Sequence, residues 1–264
     1  MNSTAVPILA ELGRDLQTTT RRQRWTALSR PGVAVLGFAV AARLGWWWLA
    51  APIVFLVFVA VVTVTHDVVH RTLGLSDRAT DLALFAAGLV LLESGHAYRA
   101  THIRHHLMFP SPEDPEGYPA ELSLLGAVCY GPVFLARLWW WSYRQRADRG
   151  WLLAEAVVPV AVLVGGGLAW PYTPGVLIYA LMVIAGSWVY PLLTVYLPHH
   201  GYGDTPLTQT RTLRGRIVPA VFLELTYHLE HHLYPQVPSH HLPELARRLD
   251  PYLTAQHVKP VRVV

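Results

Sequence analysis

Histidines in two identical spacings are the residues of this chain best suited to chemistry. Residues 102–106 read His-Ile-Arg-His-His, and residues 228–232 read His-Leu-Glu-His-His. On a helix, positions i, i+3 and i+4 lie on one face, so each group would present three imidazoles together. A third group, His66 and His70, has the i, i+4 spacing. Because neutral imidazole is the commonest metal ligand in proteins, the three groups predict a metal site.

The number of histidines indicates how many metals the site holds. Chance seldom gives two such triples among 14 His in 264 residues, whereas the pair of His66 and His70 alone is at chance level. Eight imidazoles are too many for one first-row ion, so we expect two metal ions. The boxes do not contain the His-Glu-x-x-His motif of zinc proteases. The single Cys129 excludes an internal disulfide and a cysteine-based metal site.

The composition places these groups in a membrane protein. Hydrophobic residues make up 53% of the chain and charged residues 14%, which is far from the soluble average. The net charge of +4 comes from cations that border apolar segments. This placement follows the positive-inside rule, so nucleic acid is not expected as a partner. The polar and basic first thirty residues do not resemble a cleavable signal peptide.

The apolar runs predict an all-α integral membrane fold with about four transmembrane helices in two hairpins. A span needs about 20 apolar residues. The predicted spans cover residues 28–44, 47–70, 151–169 and 175–197. We assign residues 1–30 to a polar cytoplasmic N-terminal segment and residues 31–264 to a single membrane domain.

Two further apolar stretches are not expected to cross the membrane. Residues 81–93 are too short and should be buried or re-entrant. Residues 120–141 end in Trp139, Trp140 and Trp141 and are followed by arginines, which favours an interfacial helix.

The positions of the cations predict an orientation. Of the 21 Lys and Arg, only Arg43 falls on a hairpin turn, and the others lie near the termini or between residues 71 and 149. Both termini and the central segment are therefore expected to be cytoplasmic. All three histidine groups lie on that same side in this topology, where they would form a histidine-rich cytosolic cap.

Taken together and in this order, the motifs resemble the three histidine boxes of the membrane fatty acid desaturase superfamily, which includes carotenoid ketolases and hydroxylases. The run Leu233–Pro238 after the third box also resembles that family. The resemblance implies a four-span helical domain with a cytosolic cap, two non-haem irons, and O₂ as co-substrate. It implies that the box histidines are the ligands: His66, His70, His102, His105, His106, His228, His231 and His232.

The family usually has one more ligand near the end of its fourth span. Leu197-Pro198-His199 resembles that position, so the role is carried to His199, with His200 as a possible substitute. No catalytic side chain is predicted beyond the metal centre.

Four further residues are candidates for supporting the ligands. Asp67 and Glu230 are expected to accept the second ring N–H of a box histidine, which would fix its orientation. For Glu230 a solvated position on a helix surface is the alternative. His96 precedes the second box by six residues and is a further candidate, as is His200 if it is not a ligand.

The resemblance implies an oxidoreductase acting on a long hydrophobic lipid but leaves the lipid open. Residues 112–115 (Pro-Glu-Asp-Pro) resemble a loop of the carotenoid ketolases and favour ring hydroxylation or ketolation of a carotenoid. The third box suits a fatty acyl desaturase or hydroxylase equally well. A membrane metal-binding or transport protein is the remote alternative, against which the apolar middles of the second and fourth spans argue. No fused haem domain is recognised, so a separate ferredoxin or cytochrome is the expected electron donor.

Overall fold

The computed structural model describes residues 6–264, apart from the side chains of Leu223 and Glu224, and helices form most of it. In chain order the α-helices are α1 (Leu9–Leu12), α2 (Arg21–Arg43), α3 (Ala50–Val69), α4 (Asp77–Leu91), α5 (Gly95–Met108), α6 (Leu124–Arg144), α7 (Arg149–Ala169), α8 (Gly175–Ser187), α9 (Leu197–His199), α10 (Val218–Thr226), α11 (His228–Leu233) and α12 (Leu242–Ala255). Short 3₁₀ turns cover Arg14–Gln17, Trp47–Leu49, Tyr118–Glu121 and Ser239–His241. A π-helical segment, Pro191–Tyr196, joins α8 to α9. Two short strands, β1 (Leu213–Arg214) and β2 (Val261–Arg262), pair in parallel.

Five helices are long and apolar enough to cross a membrane. They are Arg21–Arg43, Trp47–Val69, Leu124–Arg144, Arg149–Ala169 and Gly175–His199. Four of them coincide with the predicted spans. The remaining one, Leu124–Arg144, is the helix that the sequence places in the interface, and its length and composition also suit a span.

The first of these helices begins at Arg21, earlier than residue 28. A capping box explains the difference. The Thr20 hydroxyl accepts from the Gln23 backbone N–H, and the Gln23 side chain accepts from the Thr20 N–H. These bonds satisfy two donors at the helix start and extend the helix into the polar segment.

The membrane part packs around α3. Val57 and Val61 of α3 lie in one buried apolar cluster with Phe38 of α2 and with Ala180 and Val183 of α8. The clustering brings the two long hairpins, α2–α3 and α7–α8, against each other. The end of α3, which carries the first histidine box, is thereby fixed relative to the end of the last apolar helix.

α4 and α5 form a tight hairpin, in line with the prediction that residues 81–93 are buried or re-entrant. Two glycines permit the close approach: a Cβ on Gly95 would overlap the carbonyl oxygen of Leu84, and one on Gly88 would overlap that of Glu93. Leu92 at the turn has a φ of 57°, in the left-handed region that non-glycine residues seldom adopt. The hairpin returns the chain so that α5 points its second histidine box at the end of α3.

A second apolar cluster builds the lobe that carries the third box. Leu229 of α11 and Leu245 and Leu249 of α12 are fully buried together with Leu16 of the N-terminal segment. The Arg248 guanidinium forms an ion pair with Asp15 at 2.7 Å, which ties the N-terminal segment to α12. The two ends of the chain therefore fold into one body around the third box.

Candidate metal centre

The structure brings the three histidine boxes and His199 together. His66 and His70 lie at the end of α3, the second box on α5, the third on α11, and His199 at the end of α9. Their ligand atoms fall into two groups, within each of which all the atoms lie within 4.8 Å of one another. The first group is His66, His70, His102 and His231, and the second is His105, His199, His228 and His232.

His106 lies between the two groups. Its Nε2 is 2.8 Å from the Nε2 of His231 and 3.2 Å from that of His102. Its ring centroid is 4.4 Å from that of His232, a member of the second group. The structure therefore gathers all nine histidines that the sequence nominates.

The spacing of the ring nitrogens fits metal ions. The Nε2 atoms of His66 and His231 are 2.9 Å apart, and the Nε2 of His228 is 3.0 Å from that of His199 and 3.1 Å from that of His232. Two nitrogens bound at right angles, each about 2.1 Å from an ion, are separated by roughly 3.0 Å.

Hydrogen bonds among the rings cannot account for this arrangement. One imidazole nitrogen carries either one hydrogen or one lone pair. The Nε2 of His228 therefore cannot pair with both of its neighbours, whereas a cation accepts all three lone pairs. An all-imidazole donor set suits Fe, Zn, Cu or Ni, so these residues fit the two irons that the resemblance implies.

Hydrogen bonds from Nδ1 orient several of the rings. The Nδ1–H of His105 donates to Asp114 Oδ2 at 2.7 Å, and that of His199 donates to the Gln209 carbonyl oxygen at 2.9 Å. The Nδ1 of His102 lies 3.3 Å from Glu116 Oε2. With the hydrogen on Nδ1, the lone pair lies on Nε2 and points into the cluster.

Asp114 and Glu116 are site residues that sequence reasoning missed. Both are buried, with 6% and 5% exposure, although they belong to the Pro-rich loop after the second box. The sequence does show an acidic run, Glu-Asp-Pro-Glu, at residues 113–116. Which of these side chains faces the histidines depends on how the loop folds back onto α5.

The electrostatics of the cluster follow from burial. Burial lowers the pKa of His102, His106, His231 and His232, and neighbouring imidazoles lower these values further. Burial opposes the charged form of His105 as well, but the hydrogen bond and charge of Asp114 outweigh it and raise the pKa of that ring. Burial raises the pKa of Glu116 to about 7. Most of the rings are thereby kept neutral, which is the form that binds a metal.

Asp67 and Glu230 have other partners than the predicted ring N–H groups. Asp67 Oδ1 accepts from the backbone N–H and the hydroxyl of Ser239, each at 2.8 Å. Glu230 accepts from the Thr212 hydroxyl and the Arg214 guanidinium, each at 2.6 Å. The prediction is corrected accordingly: these carboxylates bind neighbouring segments because a buried charge needs donors, and the nearest donors belong to the C-terminal lobe.

His96 and His200 fall outside both groups. His96 is fully buried, stacks on Trp151 and pairs through Nδ1 with Glu155 Oε1 at 2.7 Å. The Nδ1–H of His200 donates to the Ala120 carbonyl oxygen at 2.8 Å. Of the two neighbouring histidines, His199 is the one in the cluster, because the π-helical segment before it sets the direction in which it projects. His96 instead anchors α5 to α7.

Three cavities adjoin the cluster. A narrow one lies against His66, His102, His105 and His228. Larger, mainly apolar cavities of about 340 and 280 Å³ lie on either side of Val62, Tyr190 and Thr194, which line both. Thr194 and Val62 also line the narrow cavity, so the large cavities share walls with the space beside the histidines.

The sequence matches the family described as Fatty acid desaturase over residues 44–262. The chain belongs to the fatty acid desaturase family. The match spans all nine clustered histidines and confirms the superfamily that the three boxes predict. Family membership implies an enzyme, an oxidoreductase of the membrane type. No curated protein matches the chain.

Proposed function

We propose that this protein is an O₂-dependent membrane oxidoreductase that uses two iron ions to oxidise a C–H bond of a long hydrophobic lipid. The observation that carries the proposal is the pair of four-histidine groups, in each of which the ligand atoms lie within 4.8 Å of one another, beside apolar cavities. Each group would hold one iron, and His106 lies where it can serve either. When bound, the irons would supply the activation of O₂.

The protein's own residues contribute position and exclusion of water. Asp114, Glu116 and the Gln209 carbonyl hold three rings with Nε2 facing inward. The apolar walls of the cavities bind a hydrocarbon chain and keep bulk water away from the reacting position. A C–H bond of the bound lipid would be held next to the histidine cluster, and this positioning would favour its oxidation.

For the lipid we propose a carotenoid that is hydroxylated or ketolated on its ring, with a fatty acyl chain as the alternative. The carotenoid rests on the resemblance of residues 112–115 to a ketolase loop. The buried position of Asp114 supports a role for that loop in the site. Electrons would come from a separate ferredoxin or cytochrome, attracted by the arginines of the cytoplasmic face.

We also propose four membrane crossings, with both termini and the metal centre on the cytoplasmic side. The rings of His66 and His199 both lie against α5, at 5.2 Å from His102 and 5.0 Å from His105. An odd number of crossings between them would place them on opposite sides of the bilayer. In the proposed topology α7 and α8, which are joined by a short turn, cross as a pair, and α6 stays on the cytoplasmic side.

The reaction is tested by expressing the chain in two bacterial hosts, one of which accumulates β-carotene, and analysing pigments and fatty acids. A new oxygenated carotenoid supports the proposal, and a changed acyl profile without one favours the alternative lipid. Iron bound without any O₂-dependent product would reject the enzyme in favour of metal storage or transport.

His231→Ala tests the metal centre directly. His231 contacts both His66 and His106 through Nε2, so its loss should remove iron from the purified protein and abolish either product. His241→Ala is the matched control, because that half-buried ring lies outside both groups, where it packs on His240 and bonds to the Thr18 carbonyl oxygen. Full iron content and activity in His231→Ala would contradict the ligand assignment.

A further inference from the structure

The larger cavity extends away from the histidines to the turn between α4 and α5. At one end it is lined by Tyr98, which stacks on His102 at 4.8 Å, and by Glu116, which contacts the same ring. It is also lined by Glu93 and Ser94, in the hairpin turn. Ser94 is the N-cap of α5 and lies eight positions before His102, about 12 Å along the helix axis.

Most of the remaining wall is apolar, with Val61, Leu91, Phe134 and Leu138 among its residues. A carboxyl group in such a cavity is costly unless it has partners. Besides Glu116, which contacts His102, two further carboxyl groups line the cavity, Glu155 and Glu93, and their surroundings differ.

Glu155 has internal partners for both oxygens. Its Oε2 accepts from the Ser94 hydroxyl, and its Oε1 pairs with His96 Nδ1 at 2.7 Å. These bonds tie α7 to the start of α5. Glu155 is therefore explained by the fold.

Glu93 differs in that its Oε1 is buried and has no hydrogen-bond partner in the described part of the chain. Burial raises the pKa of Glu93 well above its usual range, and a hydrogen bond from the Tyr190 hydroxyl opposes this only in part. Burial therefore favours the neutral carboxylic acid over the carboxylate in this mainly apolar cavity. A neutral carboxylic acid both donates and accepts a hydrogen bond.

We propose that Glu93, together with Tyr190, binds a hydroxyl or carbonyl oxygen of the lipid substrate in this cavity, beside the α4–α5 turn. The oxygen would anchor the chain at the hairpin turn, and a C–H bond further along the chain would lie beside His102. Glu93 is then a specificity-determining residue: it favours an oxygen-bearing lipid over a pure hydrocarbon such as β-carotene, which still binds, and it sets the position that reacts. The inference rests on the proposed function, since the bound lipid is taken to be the substrate.

The test measures binding without turnover. The purified, iron-loaded full chain is kept anaerobic, and the fluorescent lipid cis-parinaric acid is bound to it. Binding is followed by energy transfer from tryptophan to the probe, because Trp139 lines the cavity. Displacement by 1-tetradecanol is compared with displacement by tetradecane, which differs only in the hydroxyl. We expect the wild-type protein to bind the alcohol about tenfold more tightly, as one hydrogen bond to a buried group would give.

The variants separate recognition from folding. Glu93→Leu should abolish the preference by weakening binding of the alcohol and not of the alkane, and Glu93→Gln should keep it because the amide also donates and accepts. Tyr190→Phe should reduce the preference several-fold. Tyr179→Phe is its matched control, because the Tyr179 hydroxyl donates to the Val90 carbonyl oxygen and Tyr179 does not line this cavity.

Equal affinity of the wild-type protein for alcohol and alkane would overturn the inference, as would an intact preference in Glu93→Leu. If Glu93→Leu does not fold, an unchanged preference in Tyr190→Phe would overturn it instead. The outcome is separable from that of the proposed reaction. Glu93-dependent binding without any oxidation would refute the reaction alone, and O₂-dependent product with no effect of Glu93 would refute the inference alone.

Discussion

At the scale of single residues, the centre depends on groups that hold the imidazoles as much as on the imidazoles themselves. His105 illustrates this dependence. Its ring is fully buried, and its orientation is set by one bond of 2.7 Å to Asp114, a carboxylate with 6% exposure. A rotation of the ring would move Nε2 away from its group, so the carboxylate is part of what makes the site a metal site.

Asp114→Asn should weaken iron binding about 10- to 100-fold, the usual cost of losing such a supporting group. The amide retains the shape of the loop but loses the charge that favours the Nδ1–H tautomer of His105. Titration of the loaded protein with an iron chelator measures the effect. Glu113→Gln is the matched control, because Glu113 is the neighbouring acid, is exposed and pairs with Arg104. If the two variants lose iron at the same chelator concentration, the role given to Asp114 is wrong.

The residue scale also shows what sequence reasoning can reach. The spacing of the boxes identifies eight histidines because helical geometry converts i, i+3 and i+4 into one face, and that face is a local property. Asp114 and Glu116 could not be assigned in this way, because their partners depend on a loop that folds back over α5. Asp67 and Glu230 failed for the same reason: adjacency in sequence to a ligand does not determine which donor a buried carboxylate meets in space.

At the scale of elements, the geometry of two segments decides where ligands point. The short apolar stretch at residues 81–93 could be recognised as non-spanning from its length, and it forms most of α4. The π-helical segment Pro191–Tyr196 could not be recognised, since its residues are ordinary for an apolar helix. A π turn is wider than an α turn and changes the direction of the residues that follow, and His199 follows it by three positions.

The α4–α5 hairpin yields a test at this scale. Gly95→Ala should destabilise the protein by about 1–3 kcal/mol, because its Cβ would overlap the Leu84 carbonyl oxygen and push α5 away from α4. Thermal unfolding in detergent measures the loss, and iron content should fall with it because α5 carries the second box. Gly165→Ala in α7 is the control, since nothing lies within 4 Å of its added Cβ. A variant at Gly95 as stable as the one at Gly165 would show that the hairpin does not need this close approach.

At the scale of the whole molecule, two bodies meet at the metal centre. The first body, which consists of the long apolar helices with the α4–α5 hairpin, supplies the first and second boxes and His199, and the C-terminal lobe supplies the third box. Asp67 on α3 joins the two bodies through Ser239, and Glu230 joins α11 to β1 through Arg214. The centre therefore forms only when the lobe is docked. These two carboxylates contribute to it by holding the lobe in place through Ser239 and Arg214, and not by binding the rings.

Helix length alone does not determine how many times the chain crosses the membrane. Five helices are long enough to span, and the closeness of His66 and His199 to α5 favours the proposed even number of crossings between them. We therefore expect the Leu124–Arg144 helix to lie along the cytoplasmic interface, and the turns near Leu44 and Tyr172 to face the opposite side.

Labelling of single cysteines, introduced into the Cys129→Ser variant, tests this topology in cells. Leu44→Cys and Tyr172→Cys, both exposed in the fold, should react with a membrane-impermeant maleimide in intact spheroplasts. Ala147→Cys, in the exposed connection between α6 and α7, should react only after permeabilisation. If α6 crossed the membrane, Ala147→Cys would be labelled from outside and Tyr172→Cys would be protected. His199 would then lie on the opposite side of the bilayer from His66, and one metal centre could not contain both.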